Sequence, residues 1–503
     1  MDRDRLRSEN GMSQSNTDGR SATLRVPVTA RAMRESVADA GVHVAAVGPT
    51  GIASLDPLVT ATLEDRTAFY PESSPERAAE VATRLAAGAI ADGAAGVATH
   101  DSGSATLPRP DVGGLDVGSP RLLGGAGWRD PVDADDHAAA GGFVDAPAED
   151  VADAATTLLG RGWGDWCHDE PIGDCWDALD GADRTPAVVV NAHGNAADAL
   201  LCESVPFEVL EGASLAASTL GADRVVAYLS ATDDAAADRV REAAAAYPEP
   251  PVPVEVVTGP AVYRAAEPTM ALEAIEGNHR LEARLQPPGS VPTLDGQPAS
   301  VHTARTLAQL ALAVRTGEAP TTRLVTVSGD VASPATVELS ADATLDRALE
   351  AVDLPNGCKA AAVGGRFGGL TDSLEVAPTP TALADAGLGT EGGVEVLGED
   401  RCVLAFAGRR TDVAAETNCG RCVPCREGST QLAELLRDVY DGDLDPDGIE
   451  ELARTMTGAS VCEFGVEATR PARTALRGFE AEVAAHADGR CPAGACTDPA
   501  EVT

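Results

Sequence analysis

The 503-residue sequence predicts a multidomain α/β protein that closes in a helical bundle. Three observations carry this reading. Between residues 187 and 257 apolar strand-like runs alternate with helical patterns, the order of a parallel, Rossmann-like sheet. Between 324 and 339 two short strands flank a Gly-Asp turn and lead into a helix, a β-grasp-like pattern. Beyond residue 430 three apolar stripes recur at helical spacing.

Taken in order, residues 1–20 are polar and aperiodic, which predicts a disordered tail. A small α/β unit comes next, with a helix over 29–40, a strand over 42–46 and a helix over 74–85 that Ser74 caps and Pro75 opens. Residues 101–120 are rich in Gly, Pro and Asp and read as a linker. A helix over 148–159 enters the glycine loop Gly160-Arg-Gly-Trp-Gly-Asp-Trp166. Strands over 187–190, 224–229 and 252–257 alternate with helices over 207–220 and 233–247. Ligands of such sheets sit at the carboxyl ends of the strands, where Asn191 and the turn Thr258-Gly259-Pro260 fall. After a Pro/Gly-rich passage and a helix over 304–315 come strands over 324–328 and 335–339 and a helix over 345–352. The stripes Leu432/Leu435/Leu436/Val439, Ile449/Leu452/Ala453/Met456 and Leu476/Phe479/Val483 must bury against one another.

Composition narrows the function. Asp and Glu number 79 against 38 Lys and Arg, and Lys359 is the single lysine. A basic groove for nucleic acid is therefore excluded, because phosphate binding needs clustered cations. Ala-, Val- and Leu-rich periodic segments persist throughout, so the acid forms a hydrated shell on a folded chain, as suits the salty cytoplasm of a halophile. The sequence shows no secretory leader pattern and no apolar run of membrane-spanning length. We expect a cytoplasmic protein without membrane insertion. Its 11 cysteines then read as metal ligands and free thiols before disulfides.

The cysteines organise the C-terminal region. Cys419-Gly-Arg-Cys422-Val-Pro-Cys425 places three thiols on one tight turn, and Cys462 arrives later in Ser460-Val-Cys462-Glu-Phe-Gly465. Three thiolates on one turn with a distant fourth favour a [4Fe-4S] cluster. Zinc is the rival occupant, although all-cysteine zinc sites usually pair two separated C-x2-C knuckles. Four inert buried thiols are the bland alternative. Arg421 and Arg426 flank the turn, where positive charge would raise a cluster's potential.

With these residues in view, the chain resembles the NADH-binding flavoprotein (51-kDa-type, F-chain) subunit of respiratory complex I and its relatives in NAD-linked hydrogenases and formate dehydrogenases. The turn Cys419 to Gly428 is similar to that family's most specific motif, and Ser460-Val-Cys462 looks like its fourth-ligand segment. Val327-Ser-Gly-Asp-Val331 resembles the start of the family's β-grasp (soluble-ligand-binding) domain, and Glu273 to Gly277 with Arg284 to Pro288 resembles the segment before it. Gly51 to Leu58 looks like a remnant of a thioredoxin-like [2Fe-2S] domain, but no cysteine occurs before Cys167, so that unit should carry no cluster. The resemblance implies a tail over 1–20, a degenerate thioredoxin-like unit over 21–100, a linker and entry segment over 101–145 and an FMN-domain-like region over 146–318. A β-grasp domain over 319–400, a helical [4Fe-4S] domain over 401–487 and a tail over 488–503 complete the arrangement.

The resemblance implies cluster ligands Cys419, Cys422, Cys425 and Cys462, and FMN contacts from Gly160, Arg161, Gly162, Asn191, Tyr263 and Glu267. The flavin site departs from the family. Trp163, Asp165 and Trp166 interrupt the small-residue run, and Cys175 beside Trp176 stands where the family has lysine beside tryptophan. His193, Gly194 and Ala196 replace acidic residues, Pro268 replaces the second glutamate of a pair, and His302-Thr303 replaces paired asparagines. An intact cysteine set beside a degenerate pocket argues for an electron-transfer subunit of the NADH dehydrogenase type, relaying single electrons through one cluster. The alternatives are an active FMN-dependent NADH dehydrogenase (diaphorase) subunit and a cluster-stabilised interaction or sensor protein. Partners would be other electron-transfer or oxidoreductase subunits, with peripheral association to a membrane complex. Cys402 reads as family structure, Cys167, Cys175 and Cys202 as coincidental small residues, and Cys491 with Cys496 as the vestige of a further domain or a redox-active pair.

Overall fold

The computed structural model describes residues 22–179, 184–286 and 290–496. The tail expected over 1–20 lies outside these residues. The N-terminal unit is a five-stranded mixed sheet. Ala22–Pro27 pairs in parallel with His43–Val47 and antiparallel with Val59–Leu63, and the sheet continues through Arg66–Tyr70 and Gly96–Thr99. The helix Pro75–Ala86 lays Ala78, Val81, Ala82 and Leu85 on this sheet, and Ser74 caps it by accepting from the Arg77 amide at 3.2 Å. The helix expected over 29–40 is shorter, Arg31–Val37.

Residues 101–120, which composition marks as linker, are packed, as is the start of the entry segment that follows. Leu107, Val112, Leu115 and Val117 join a core with Val325, Val337 and Leu339 of the β-grasp sheet. The cause is a long-range polar anchor. The buried Glu338 carboxylate accepts from the amides of Arg121, Leu122 and Leu123 at 2.7, 2.8 and 3.1 Å, satisfying an irregular backbone that could not otherwise be buried.

The central sheet runs Val254–Gly259, Arg224–Ser230, Ala187–Asn191, Gln297–Thr303, Thr293–Leu294, and its first four strands are parallel. Helices Ala196–Ser204, Pro206–Leu220, Asp234–Ala246 and Ala304–Thr316 cover one face, while Pro268–Ile275 covers the other. Gln297–Thr303 lies beside Ala187–Asn191, inside a passage whose Pro and Gly content suggested a connection.

The third sheet pairs Thr322–Gly329 antiparallel with Ala335–Ser340 and parallel with Gly393–Leu397, and it ends in Ala360–Gly364 and Gly369–Thr371. A 3-10 turn, Leu345–Ala351, stands where an α-helix was expected. The C-terminal helices Val403–Thr417, Val423–Asp438, Pro446–Ala459, Glu463–Glu467, Arg470–Gly478 and Glu480–Ala487 then pack as a bundle. Leu432, Leu436, Val439, Ile449, Met456 and Val483 meet in its core, as the stripes require. That core extends through Phe464 and Phe367 to Trp163 and Ala266 of the central region, so bundle and glycine loop share one wall.

Candidate functional site

The helix Val403–Thr417 stops at Asn418, whose side chain ties down the cysteine turn. Asn418 Nδ2 donates to the carbonyls of Ala414 and Ala415, and its Oδ1 accepts from the Gly420 amide, each at 2.9 Å. Gly420 takes φ +78°, a left-handed turn that a side chain would strain, and this reverses the chain between Cys419 and Cys422. Cys422 is the N-cap of Val423–Asp438, with Pro424 opening the helix and Cys425 in its first turn. Cys462 caps Glu463–Glu467. All four thiols line one small enclosed pocket, walled by Met270, Ala283, Val461 and Phe464.

The chemistry of this pocket suits an anionic cluster. The N-terminal end of a 16-residue helix carries partial positive charge and free amides toward Cys422 and Cys425. The Phe464 amide donates to the Cys462 thiol. Burial pushes the Cys425 thiol up to about 12, with the neighbouring Cys422 and Cys419 adding to the rise, and burial pushes Cys462 up as well. Metal binding overcomes this cost by taking the thiolates as ligands. A Cβ on Gly465 would lie 2.9 Å from the Cys425 Cβ, so that glycine permits the short helix to approach the first three ligands. The four cysteines therefore fit an iron–sulfur cluster.

The residues expected around FMN are brought together, but they bind one another. The Gly160 amide donates to Glu170 O at 2.9 Å, the Arg161 amide to Thr306 Oγ1 at 2.9 Å and the Arg161 side chain to Gln309 Oε1 at 2.8 Å. The space beside Gly162 holds the Arg305 guanidinium, which pairs with Asp198 at 2.9 Å. Both amide hydrogens of Asn191 are engaged, by Gly164 O and Ala266 O, each at 2.8 Å. Glu267 caps the helix Pro268–Ile275 through the Met270 amide. Trp163, only 4% exposed, stacks on Tyr263 with ring centroids 4.5 Å apart. The Gly160 and Arg161 amides, the asparagine side chain and one face of the tyrosine are thus engaged from within the chain, so these groups as placed are not free to contact a flavin.

The substitutions that displace the family's pattern are themselves a network. Trp176 Nε1 donates to His302 Nε2 at 3.0 Å, so the other ring nitrogen holds the proton that His302 gives to Asp165 Oδ1 at 3.0 Å. Asp165 also accepts from the Thr303 amide at 3.0 Å. His193 is buried, stacks on Tyr228 and contacts Pro260 O at 2.9 Å. Cys167 and Cys175, expected as coincidental small residues, face one another with Cα atoms 6.2 Å apart. Below the loop, Tyr263 Oη donates to Glu391 Oε1 at 3.0 Å. Burial, then the charge of Glu467, holds the Glu391 carboxyl well above the usual range.

One constellation was not read from the sequence as a single site. Cys402, His486, Cys491 and Cys496 converge at the opposite end of the helix Val403–Thr417 from the cysteine turn, so the C-terminal segment is folded back and Cys402 is not an isolated core thiol. His486, Cys491 and Cys496 lie close together in the sequence, but Cys402 precedes the bundle, so no spacing joins it to them.

Comparison with known proteins bears on the same regions. Residues 405–486 match the family model of the NADH-ubiquinone oxidoreductase-F iron-sulfur binding region, and residues 171–311 match the Nuo51 FMN-binding domain. Both matches support the family of NADH-binding flavoprotein subunits. The F 2 subunit of the NADH-quinone oxidoreductase of Rhizobium meliloti (strain 1021) is 28% identical over 377 residues, covering 67% of this chain and 88% of the relative. NADP-reducing hydrogenase subunit HndC of Solidesulfovibrio fructosivorans is 26% identical over 435 residues, covering 75% and 87%. In fold, the chain is similar to an NAD+-reducing [NiFe]-hydrogenase chain in the H2-reduced state, with a TM-score of 0.62 and 20% identity over 93% of this chain and 85% of that one. The match to the FMN-binding domain thus spans Asn191 and Glu267, whose side chains are hydrogen-bonded within the chain. Among the described residues no helix is long and apolar enough to cross a membrane.

Proposed function

We propose that this chain is an electron-transfer subunit that passes single electrons through one [4Fe-4S] cluster on Cys419, Cys422, Cys425 and Cys462, and that it takes those electrons from another subunit. The observation that carries the reading is the contrast within one wall of the protein. Four cysteines line a pocket of their own, while Arg161, Asn191 and Glu267 are hydrogen-bonded within the chain and Trp163 covers one face of Tyr263. A cluster bound in the first supplies a one-electron carrier. The chain's own groups do the rest. Met270, Ala283 and Phe464 keep water from the inner side, and the Phe464 amide and the helix N-terminus stabilise added negative charge.

The outward side supplies a route to a partner. Val423, 59% exposed, projects next to Cys422, and Arg421 and Arg426 flank it. An exposed aliphatic residue flanked by two arginines beside a redox centre suits a partner oxidoreductase subunit with an acidic rim. The relatives' names place them in multisubunit NADH dehydrogenases and hydrogenases, which supports such a partner; a cytoplasmic site of assembly, peripheral to any membrane, belongs to the same reading.

The test is anaerobic purification in high salt, followed by visible spectra and low-temperature EPR before and after NADH and then dithionite. A cluster signal that appears with dithionite, without flavin absorbance and without response to NADH, is the expected result. A flavin spectrum with cluster reduction by NADH would restore the diaphorase reading. A cluster that no reductant in the physiological range reduces would make it a structural element.

A further inference from the structure

We propose that Cys402, His486, Cys491 and Cys496 form a second metal centre, a mononuclear zinc site of the Cys3His type. The ligand atoms of all four residues lie within 4.8 Å of one another, and Cys402 and His486 are buried. Tetrahedral zinc with Zn–S bonds of about 2.3 Å sets its sulfurs about 3.8 Å apart. The cage is therefore sized for one ion and needs only a slight contraction.

Each ligand is aimed by its own element. Cys402 caps the helix Val403–Thr417, and its sulfur accepts from the Ala405 amide at 3.3 Å, a donor that favours thiolate. His486 lies in the last turn of Glu480–Ala487, where Nδ1 meets the Glu482 carbonyl at 2.7 Å. A carbonyl only accepts, so Nδ1 carries the proton and Nε2 turns a bare lone pair inward, 3.3 Å from the Cys402 sulfur. A ring nitrogen fixed by a backbone carbonyl is how proteins orient a metal-binding histidine. Cys491 and Cys496 bracket the turn Cys491-Pro-Ala-Gly494-Ala-Cys496, closed by Gly494 N donating to Cys491 O at 3.1 Å. The Tyr440 ring stands edge-on to His486 at 5.5 Å and shields it.

Two comparisons within the chain sharpen the assignment. His137, Glu208 and Glu211 also converge within 4.8 Å, but Arg129 and Arg315 pair with those carboxylates and occupy the place of a cation. Around the Cys3His set, His486 donates outward to a backbone carbonyl and no arginine is seen paired with a ligand among the described residues. A disulfide would join two of the three thiols and strand the third beside a bare imidazole nitrogen. Three soft thiolates and one imidazole in a tetrahedral set are the donors of structural zinc.

The placement gives the ion a structural task. The helix Val403–Thr417, 15 residues and about 22 Å long, has Cys402 at one end and the cluster turn at the other. Zinc would clamp the C-terminal turn to the near end and hold the helix that presents Cys419. The matched iron–sulfur region, 405–486, leaves Cys402, Cys491 and Cys496 outside, so the site extends what that region accounts for.

The experiment is metal analysis and zinc X-ray absorption on the full chain purified anaerobically. About one zinc per chain in addition to about four irons is expected, with an absorption shell of three sulfurs and one nitrogen. Cys491→Ser with Cys496→Ser should lose the zinc and keep the iron. His486→Cys should keep the zinc and convert its shell to four sulfurs, which tests the site even if the double variant fails to fold. Zinc absent from the wild type, zinc retained by the double serine variant, zinc lost instead on Cys419→Ser, or a Cys491–Cys496 disulfide in the freshly purified chain would each overturn the assignment.

Discussion

Trp163 lies flat on Tyr263, with ring centroids 4.5 Å apart and planes 23° from parallel. Tyr263 in turn meets Phe367 edge-on and approaches Phe464, which lines the cysteine pocket. An aromatic wall thus joins the glycine loop to the cluster pocket, and the indole is part of that wall. Replacing a buried tryptophan by alanine costs about 3–5 kcal/mol through lost burial and the cavity left behind. Trp163→Ala should lower stability by an amount in that range, read as a shift of the denaturant midpoint followed by tryptophan-independent circular dichroism. Free FMN titrated into the wild-type chain should keep its fluorescence. Quenching at micromolar protein would show that the loop opens to admit a flavin.

Gly465 sets the distance between the fourth ligand's helix and the first three. A Cβ there would come within 2.9 Å of the Cys425 Cβ and collide with the Ser460 hydroxyl. Overpacking of this kind costs about 1–3 kcal/mol, and the strain would fall directly on two ligands. Gly465→Ala should therefore yield protein with reduced iron content and a cluster that bleaches several times faster in air. Gly458→Ala, whose Cβ meets nothing within 4 Å in the same bundle, is the control that should behave as wild type.

The legible parts of the sequence were those in which neighbours in the chain share a task. Leu432, Leu436 and Val439 repeat at helical spacing because they face one core, and Cys419, Cys422 and Cys425 sit on one turn because they face one pocket. The strand Gln297–Thr303 was hidden because half its burial is polar. His302 is paired with Asp165 and Thr303 with the Arg161 carbonyl, partners that lie more than a hundred positions away. The packing of residues 101–120 and of the start of the entry segment was hidden for the same reason, since Glu338 satisfies the backbone there from a distant strand. The Cys402 constellation could have been suspected from one signal: three cysteines outside the cluster motif flank the C-terminal helices within a chain otherwise poor in histidine. The departures at Trp163, His302 and Thr303 were readable one by one, but their mutual bonding was not.

Glu391 offers a pH test. Burial and the adjacent Glu467 hold its folded-state pKa well above the ordinary carboxyl value. Between the two values the folded chain binds more protons than the unfolded chain, so this group's contribution to stability is fully present at low pH and is lost as pH rises. The slope is at most about 1.4 kcal/mol per pH unit for one group. Glu391→Gln replaces the protonated carboxyl by a neutral isostere that still accepts from Tyr263. The difference in unfolding free energy between variant and wild type should therefore grow in the variant's favour as pH is raised from about 5 to about 8. A difference that stays constant with pH would mean that Glu391 is ionised in the folded chain.

Arg426 tests whether the charges beside the turn tune the cluster. Its guanidinium donates to the Gly420 carbonyl at 2.9 Å and pairs with Glu427 at 2.8 Å, so it holds the turn's backbone as well as lending charge. Arg421 is held by Glu282 at 3.3 Å. Both side chains are roughly half exposed, and water screens them; an exposed charge of this kind is worth about 0.2–1 kcal/mol. For a one-electron couple that corresponds to about 10–40 mV. Arg426→Gln should lower the midpoint potential by that amount, measured by EPR-monitored redox titration, because the reduced cluster loses a stabilising cation. Arg426→Lys keeps the charge but cannot reproduce the guanidinium's forked contacts, and it should restore most of the potential. A full shift in the lysine variant would assign the effect to the Gly420 hydrogen bond instead of the charge.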